Sequence, residues 1–201
     1  MNIISNTCIG SFITRDFLKT PYNNPFCWNI IDSNSICSLI ENYDKINFNN
    51  YELLKGYNLP NYMEKDWNMY IKIDNKINVY YIHYRFNPLD TKPRKAACGC
   101  ATDVFYNKIW EYIVEKYETR IKRMKEQNEK PIFVLGSSWP AHSLSYEDIN
   151  KISKIKTNYK IIMASTVDID FDLPNNCYYY KHEVYKNNKE LSKQIYEKYI
   201  K

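Results

Sequence analysis

Two short, uninterrupted apolar runs constrain the fold of this chain more than any other feature of it. They lie within residues 131–136 and 160–166, and each leads into small and polar residues. Strands that are apolar on both faces are typical of parallel sheets, because helices cover both sides of such sheets. A β-branched pair, Ile3–Ile4, predicts a third buried strand almost at the first residue. Together the three runs favour a sheet that is at least partly parallel.

Apolar residues at helical spacing separate these runs along the chain. The spacing predicts helices after Cys8, after a cap at Ser33 or Asn34, over residues 104–127, after Ser145 and over residues 189–200. Alternation over residues 69–74 and 77–84, with a turn at Asn75–Lys76, predicts an antiparallel hairpin. Residues 47–66 follow only a weak period, so we expect irregular chain there, with at most a short helix at residues 51–55. The order of elements predicts one α/β domain over residues 1–201, a sandwich with a mixed, partly parallel sheet, a β-hairpin and helices on both faces.

The composition excludes several classes of protein. With 201 residues and 44% hydrophobic side chains, the chain is long enough for one substantial core and too apolar to be disordered. Its net charge of +5 is small and spread along the sequence, which argues against a nucleic-acid partner. No basic segment followed by an apolar run marks a secretory signal, and no apolar run approaches the ~20 residues that span a bilayer. We therefore expect a cytoplasmic protein whose six cysteines are mostly reduced.

Two patterns resemble metal sites but lack essential ligands. Cys98 and Cys100 have no second Cys or His pair at zinc spacing. Asp168, Asp170 and Asp172 alternate, yet the glycine and the distal glutamate of a calcium loop are missing. The chain has only four glycines and no glycine-rich phosphate loop, which argues against a bound nucleotide. We therefore expect neither a metal nor a cofactor.

The carboxyl ends of the parallel strands are the expected position of a functional site. Cys8 follows the first strand, beside the start of a helix whose unpaired N–H groups stabilise a thiolate. The alternative is that Cys8 is a small apolar residue filling the strand–helix junction. The run after residue 136 supplies further candidates for contact with a substrate, namely Ser137, Ser138, Trp139 and His142.

His83 is the candidate partner of Cys8. The two-residue alternation of the second hairpin strand places it on the face that carries Val79 and Tyr81, near the end of the strand. If this strand points the same way as the parallel strands, His83 joins Cys8 at the sheet edge. A thiol and an imidazole within hydrogen-bond reach are what nucleophilic catalysis requires. The alternative is a histidine that is hydrogen-bonded in the core or at its rim.

Arg120 and Arg123 stand out on the long helix because most basic residues of the chain are lysines. A guanidinium group binds phosphate or carboxylate with two parallel hydrogen bonds, which an ammonium group cannot do. We predict that one of the two arginines faces the strand-end crevice or a buried carboxylate. The alternative is a helix face exposed to solvent.

Several short segments resemble an uncharacterised bacterial family that is often encoded beside exopolysaccharide and capsule genes. The resemblance begins with residues 3–10 and the Pro-Tyr-Asn-Asn-Pro segment at residues 21–25. It continues with a strand ending in His83–Tyr84, a helix with Lys-Tyr-x-x-Arg-x-x-Arg at residues 116–123, and an apolar strand at residues 132–135. Residues 25–28 are also similar to the Pro-Phe-Asp-Trp segment of a related family of papain-like cysteine peptidases, with Cys27 in place of the aspartate.

The resemblance implies a surface-polysaccharide context and a Cys/His pair. Cys8 and His83 would catalyse acyl transfer or hydrolysis of an amide, ester or thioester, with the backbone N–H groups of residues 8–10 holding an oxyanion. The expected partner is a small-molecule or glycan substrate. Two alternatives stay open at this point: a sugar- or nucleotide-sugar-modifying enzyme without a covalent cysteine step, and a carbohydrate-binding or assembly factor. The substrate and the oligomeric state do not follow from the sequence.

Overall fold

The chain forms two four-stranded sheets with flanking helices, as a computed structural model shows. The structure describes residues 1–20, 24–27, 29–56, 67–86, 106–127, 129–137, 143–183 and 187–201. In these residues the strands are β1 (Asn2–Ser5), β2 (Ile30–Ile31), β3 (Tyr51–Gly56), β4 (Trp67–Ile73), β5 (Ile77–Phe86), β6 (Pro131–Gly136), β7 (Lys160–Ser165) and β8 (Cys177–Lys181). The helices are α1 (Cys8–Phe12), α2 (Ser33–Asn42), α3 (Tyr106–Gln127), α4 (Tyr146–Ser153) and α5 (Asn188–Ile195).

Turns of other helical types extend three of these helices. A π-helical turn at Ile13–Phe17 continues α1, and another at Tyr196–Ile200 continues α5. A 3-10 turn at Tyr43–Lys45 follows α2. Because α1 and its extension are contiguous, the chain is helical from Cys8 through Phe17.

The first sheet is entirely parallel, in the order β1-β6-β7-β8. Its two central strands are the apolar runs of the sequence, and their side chains are almost all buried. The α/β class and the presence of helices on both faces are therefore confirmed. The π-extended helices α1 and α5 cover one face, where they bury Ile3, Ile9, Ile13, Val134, Ile162, Ala164, Leu191 and Ile195. The opposite face shares a larger core with α2, α3, α4 and the second sheet.

The hairpin belongs to a second, antiparallel sheet in the order β2-β5-β4-β3, so the strands as a set are mixed and partly parallel. Residues 51–56 form the edge strand β3 of this sheet, whereas the sequence predicted irregular chain or a short helix. The hairpin turn centres on Asp74 and Asn75, whose φ angles of 50° and 55° suit a primed turn.

Asp32, and not Ser33 or Asn34, caps α2 by accepting a hydrogen bond from the Ser35 N–H at 2.8 Å.

Two hydrogen bonds fix the chain from Asn24 to the end of β2 along the outer side of β1. The Nδ2 group of Asn24 donates to the carbonyl of Ile3 at 2.8 Å, and the N–H of Ile31 donates to the carbonyl of Asn6 at 3.1 Å. The chain therefore advances beside β1 in the direction of β1. Since β5 is antiparallel to β2, β5 runs in the opposite direction.

None of the described helices is both long and apolar enough to cross a membrane. The single-domain organisation stays a prediction.

Candidate functional site

The four parallel strands end at one edge of their sheet, and this carboxyl edge gathers the chemistry-bearing residues that follow them. Cys8 follows β1, Ser137 follows β6, Ser165 ends β7 and His182 follows β8. Residues from four distant parts of the sequence therefore meet along one edge. We call this set the strand-end site.

Hydrogen bonds between the β1–α1 junction and the end of β6 hold the strand-end site in place. The Asn6 Oδ1 atom accepts a hydrogen bond from the Gly136 N–H at 2.8 Å. The Thr7 hydroxyl donates to the Gly136 carbonyl at 2.6 Å and caps α1 by accepting from the Ile9 N–H at 3.4 Å. The Asn6 side chain thus joins the first strand to β6.

Cys8 differs from the other described cysteines in its exposure. Cys27, Cys37 and Cys177 are buried, whereas Cys8 is partly exposed. Burial raises the pKa of the Cys37 thiol, and it raises that of Cys177 to about 11. Both of those thiols are therefore kept in the unreactive form. Cys8 is the first residue of α1, where the backbone N–H groups of the first helical turn favour negative charge.

The loop after β6 is only partly described. Ser137 is buried, with 2% of its surface exposed, directly after β6. Ser138, Trp139 and His142 lie outside the described residues, so their predicted contact with a substrate stays a prediction. Ser165 donates from its hydroxyl to the Leu144 carbonyl at 2.7 Å, and this bond attaches the returning chain to the end of β7.

The pairing of His83 with Cys8 stays a prediction, because the side chain of His83 lies outside the described residues. Its backbone belongs to β5, between Tyr80 and Arg85, where the register with β4 shifts. The direction of β5 gives the pairing no support. Past Tyr80 this strand continues away from Ile31 and the Asn6 level of β1, and so away from the edge that carries Cys8.

Arg120 is buried, with 4% of its surface exposed, and it belongs to α3 and not to a segment that follows a parallel strand. Its Nη1 group donates to the carbonyl of Cys27 at 2.7 Å, so the guanidinium connects α3 with the segment before β2. Arg120 is therefore turned into the protein, whereas the predicted contact of Arg120 or Arg123 with the strand-end crevice or with a buried carboxylate stays a prediction. Arg123, three residues further on, is exposed.

Replacing these arginines by lysine gives a matched test of the burial of Arg120. We expect Arg120→Lys to lower the free energy of unfolding by roughly 2 kcal/mol, because a charged hydrogen bond to a buried carbonyl is lost or distorted. Arg123→Lys should stay within about 0.5 kcal/mol of the wild type, as is usual for exposed positions. Urea unfolding followed by circular dichroism measures both values. Equal effects of the two substitutions would contradict the structural role of Arg120.

His182 is the residue that the sequence analysis missed. Its backbone N–H donates to the Ser165 carbonyl at 3.0 Å, which extends the parallel ladder one residue beyond β8. Its side chain is buried, with 5% of the residue exposed, and Nδ1 lies 2.8 Å from the Glu183 carbonyl. Nε2 is buried and has no hydrogen-bond partner among the described residues. Its position just after β8 is the same signal that identified Cys8 after β1 and Ser137 after β6.

No group of three or more potential metal ligands occurs in the described residues. The three alternating aspartates do not converge, since Asp168 pairs with Lys181 and Asp170 accepts a hydrogen bond from the Tyr146 hydroxyl at 2.6 Å. Cys98 and Cys100 lie outside the described residues. Compared with models of known protein families and with curated proteins, the chain matches none.

Proposed function

We propose that this protein is a thiol-dependent enzyme of acyl transfer or hydrolysis, with Cys8 as its nucleophile. The observation that carries the proposal is the position of Cys8: partly exposed, first in its helix, and on the carboxyl edge of a parallel sheet. The other described cysteines are buried, and for two of them burial raises the pKa. Cys8 therefore combines access with an environment that favours a thiolate.

The proposed chemistry has two halves. The Cys8 sulfur attacks the carbonyl carbon of an ester, thioester or activated amide, and the leaving group departs with a proton. The resulting thioester then passes its acyl group to water or to a hydroxyl-bearing acceptor. Backbone N–H groups at the start of α1 are suited to stabilise the negative charge on the carbonyl oxygen. The resemblance described above favours a glycan as the acceptor or acyl donor.

The alternative of a sugar-phosphate enzyme depends on arginines that could bind phosphate. Such an enzyme would use Arg120 and Arg123, or the basic loop around Arg94, to bind phosphate. Arg120 is buried, and its Nη1 group donates to the backbone carbonyl of Cys27. Residues 87–105 lie outside the described part of the chain, so the contribution of Arg94 stays a prediction.

Thiol labelling tests the proposal directly. Cys8 should react with iodoacetamide near neutral pH in the native protein, and peptide mass spectrometry should locate the label. Cys8→Ser and Cys8→Ala should remove this label and fold almost normally, with melting temperatures within a few degrees of the wild type. Cys37 and Cys177 serve as internal controls and should be labelled only after unfolding.

A residue that merely fills the junction would behave differently. Cys8→Ala would leave a void and Cys8→Ser would bury a hydroxyl group, and either change would lower stability by about 1 kcal/mol or more. An unreactive Cys8 in the native wild type, together with lower melting temperatures in both variants, would reject the proposed function.

A further inference from the structure

We infer that His182 is the general base for the second half of the reaction, the transfer of the acyl group from Cys8 to a hydroxyl group. This inference rests on the proposed function and assigns a role that the sequence analysis gave to His83. It is carried by a buried imidazole nitrogen without a hydrogen-bond partner in the described structure, at the edge of the sheet that also carries Cys8.

The hydrogen bonds of His182 determine its tautomer. A backbone carbonyl can only accept a hydrogen bond, so the 2.8 Å contact between Nδ1 and the Glu183 carbonyl requires the proton on Nδ1. In the neutral ring Nε2 is then a bare acceptor. A buried acceptor that no described protein group satisfies is unfavourable, and a ligand that brings an O–H group to it would remove this deficit.

The position of His182 along β8 places it on the face that α1 begins to cover. Tyr180 contributes to the core beneath α1 and α5, and its hydroxyl donates to Gln194 on α5 at 2.8 Å. His182 follows two residues later, and the alternation of an extended strand returns it to the same face. Cys8 begins α1 on that face, and the Ser192 hydroxyl on α5 donates to the neighbouring Ile9 carbonyl at 3.1 Å.

The width of the sheet determines which step His182 can serve. β1 and β8 are separated by three inter-strand spacings, which is about 14 Å at the usual ~4.8 Å per strand. This distance is too long for His182 to take the thiol proton of Cys8 directly. The same distance leaves room for the acyl carbon on the Cys8 sulfur and for an attacking oxygen roughly 3 Å from that carbon. That oxygen could then donate a hydrogen bond of roughly 2.8 Å to Nε2 of His182.

The step balances without any further reagent. The O–H proton of water or of an acceptor alcohol passes to Nε2 as the oxygen bonds to the acyl carbon. The C–S bond then breaks and the electron pair returns to the Cys8 sulfur. The imidazolium releases its proton to solvent water, and the thiolate takes up a proton from water in turn. The products are the free thiol and a carboxylic acid or an ester.

Acetylation by p-nitrophenyl acetate distinguishes the two halves of the reaction, acylation of Cys8 and the later loss of the acyl group. Intact-mass measurement follows the gain and the loss of one acetyl group, and peptide mapping assigns it to Cys8. The informative variant is His182→Asn, because an asparagine amide can still donate to the Glu183 carbonyl but has no group at the position of Nε2. We expect acetylation within about twofold of the wild type and deacetylation slowed about 100-fold, which is typical for loss of a general base.

The matched control is Lys181→Gln, because Lys181 is the exposed residue before His182 and its substitution should change neither rate. His83→Asn tests the rival assignment of the base to His83. If wild-type Cys8 is never acetylated, the proposed function itself fails. If Cys8 is acetylated and His182→Asn loses the acetyl group as fast as the wild type, the proposed function stands and the role of His182 is overturned. Slow deacetylation in His83→Asn alone would also overturn it.

A measurement on the wild type covers the case in which His182→Asn does not fold. The chain has only three histidines, so their ring nitrogens can be resolved by ¹⁵N NMR. We expect His182 to show the Nδ1–H tautomer, and its Nε2 resonance to shift when Cys8 is acetylated. An Nε2 resonance that acetylation leaves unchanged would overturn the inference.

Discussion

Replacing Gly136 by alanine is expected to lower the free energy of unfolding by roughly 4 kcal/mol or more, or to prevent folding. Gly136 ends β6 with a φ of +123°, a conformation that residues with a side chain rarely adopt. A Cβ atom there would lie 2.0 Å from the carbonyl oxygen of Ala164 on the neighbouring strand. Backbone strain and the steric clash both lower stability at this position. They would also disturb the hydrogen bonds of the Gly136 N–H with Asn6 and of the Gly136 carbonyl with Thr7.

A second substitution distinguishes a backbone clash from a side-chain clash. The Ala164 Cβ atom would be 3.2 Å from the new methyl group, farther than the carbonyl carbon at 2.9 Å and the oxygen at 2.0 Å. Adding Ala164→Gly to Gly136→Ala should therefore restore little stability. Urea unfolding and the melting temperature of both variants provide the measurement. A loss below about 1 kcal/mol in Gly136→Ala, or full rescue by Ala164→Gly, would contradict this account.

The parallel half of the fold could be predicted because its signals are local. Continuous apolar runs identified β6 and β7, and the polar residues after Ile3–Ile4 identified the β1–α1 junction and placed Cys8 at its helix start. The division of the strands into two sheets could not be predicted in this way. A hairpin has the same alternation whether it joins a parallel sheet or forms its own, and only contacts distant in sequence decide between the two.

The strand β3 was missed because its stability comes from its partner. The run Tyr51–Gly56 has little period of its own and pairs along its whole length with β4.

The burial of Arg120 could partly be predicted from the sequence. It lies three residues after Tyr117 and four before Met124, both of which are buried, so helical spacing puts it on the apolar side of α3. The carbonyl that it binds belongs to a loop 93 residues away, and local spacing cannot identify such a partner.

Asn24 belongs to the Pro-Tyr-Asn-Asn-Pro segment that carries part of the resemblance, and the structure shows a role for its side chain. It is fully buried, and its Nδ2 group donates to the Asn2 Oδ1 atom at 3.0 Å and to the Ile3 carbonyl at 2.8 Å. Its Oδ1 atom accepts from the Phe26 N–H at 3.1 Å. The backbone partners fix the orientation of the amide, since a carbonyl only accepts and an N–H only donates. One side chain therefore attaches the segment before β2 to the edge of the parallel sheet.

Asn24→Asp should be strongly destabilising at neutral pH and much less so in acid. The substitution keeps the size of the side chain but turns the Nδ2 donor into an oxygen that faces two acceptor oxygens. Only a protonated carboxyl group can donate a hydrogen bond to either of these oxygens. The folded protein therefore favours the protonated form, and the pKa of the introduced carboxyl rises above its unfolded value of about 4. As pH rises from 4, the unfolded chain releases the proton first, and stability falls by up to about 1.4 kcal/mol per pH unit until the folded carboxyl also ionises. We expect a loss of roughly 3 kcal/mol or more at pH 7.5 relative to the wild type, and a clearly smaller loss at pH 4.

Asn24→Ala is the control, because it removes the same donors without adding a titrating group and its loss relative to the wild type should not change with pH. Urea unfolding of the three proteins at both pH values provides the comparison, and an Asn24→Asp penalty equal at pH 4 and pH 7.5 would contradict the arrangement of two acceptors around Nδ2.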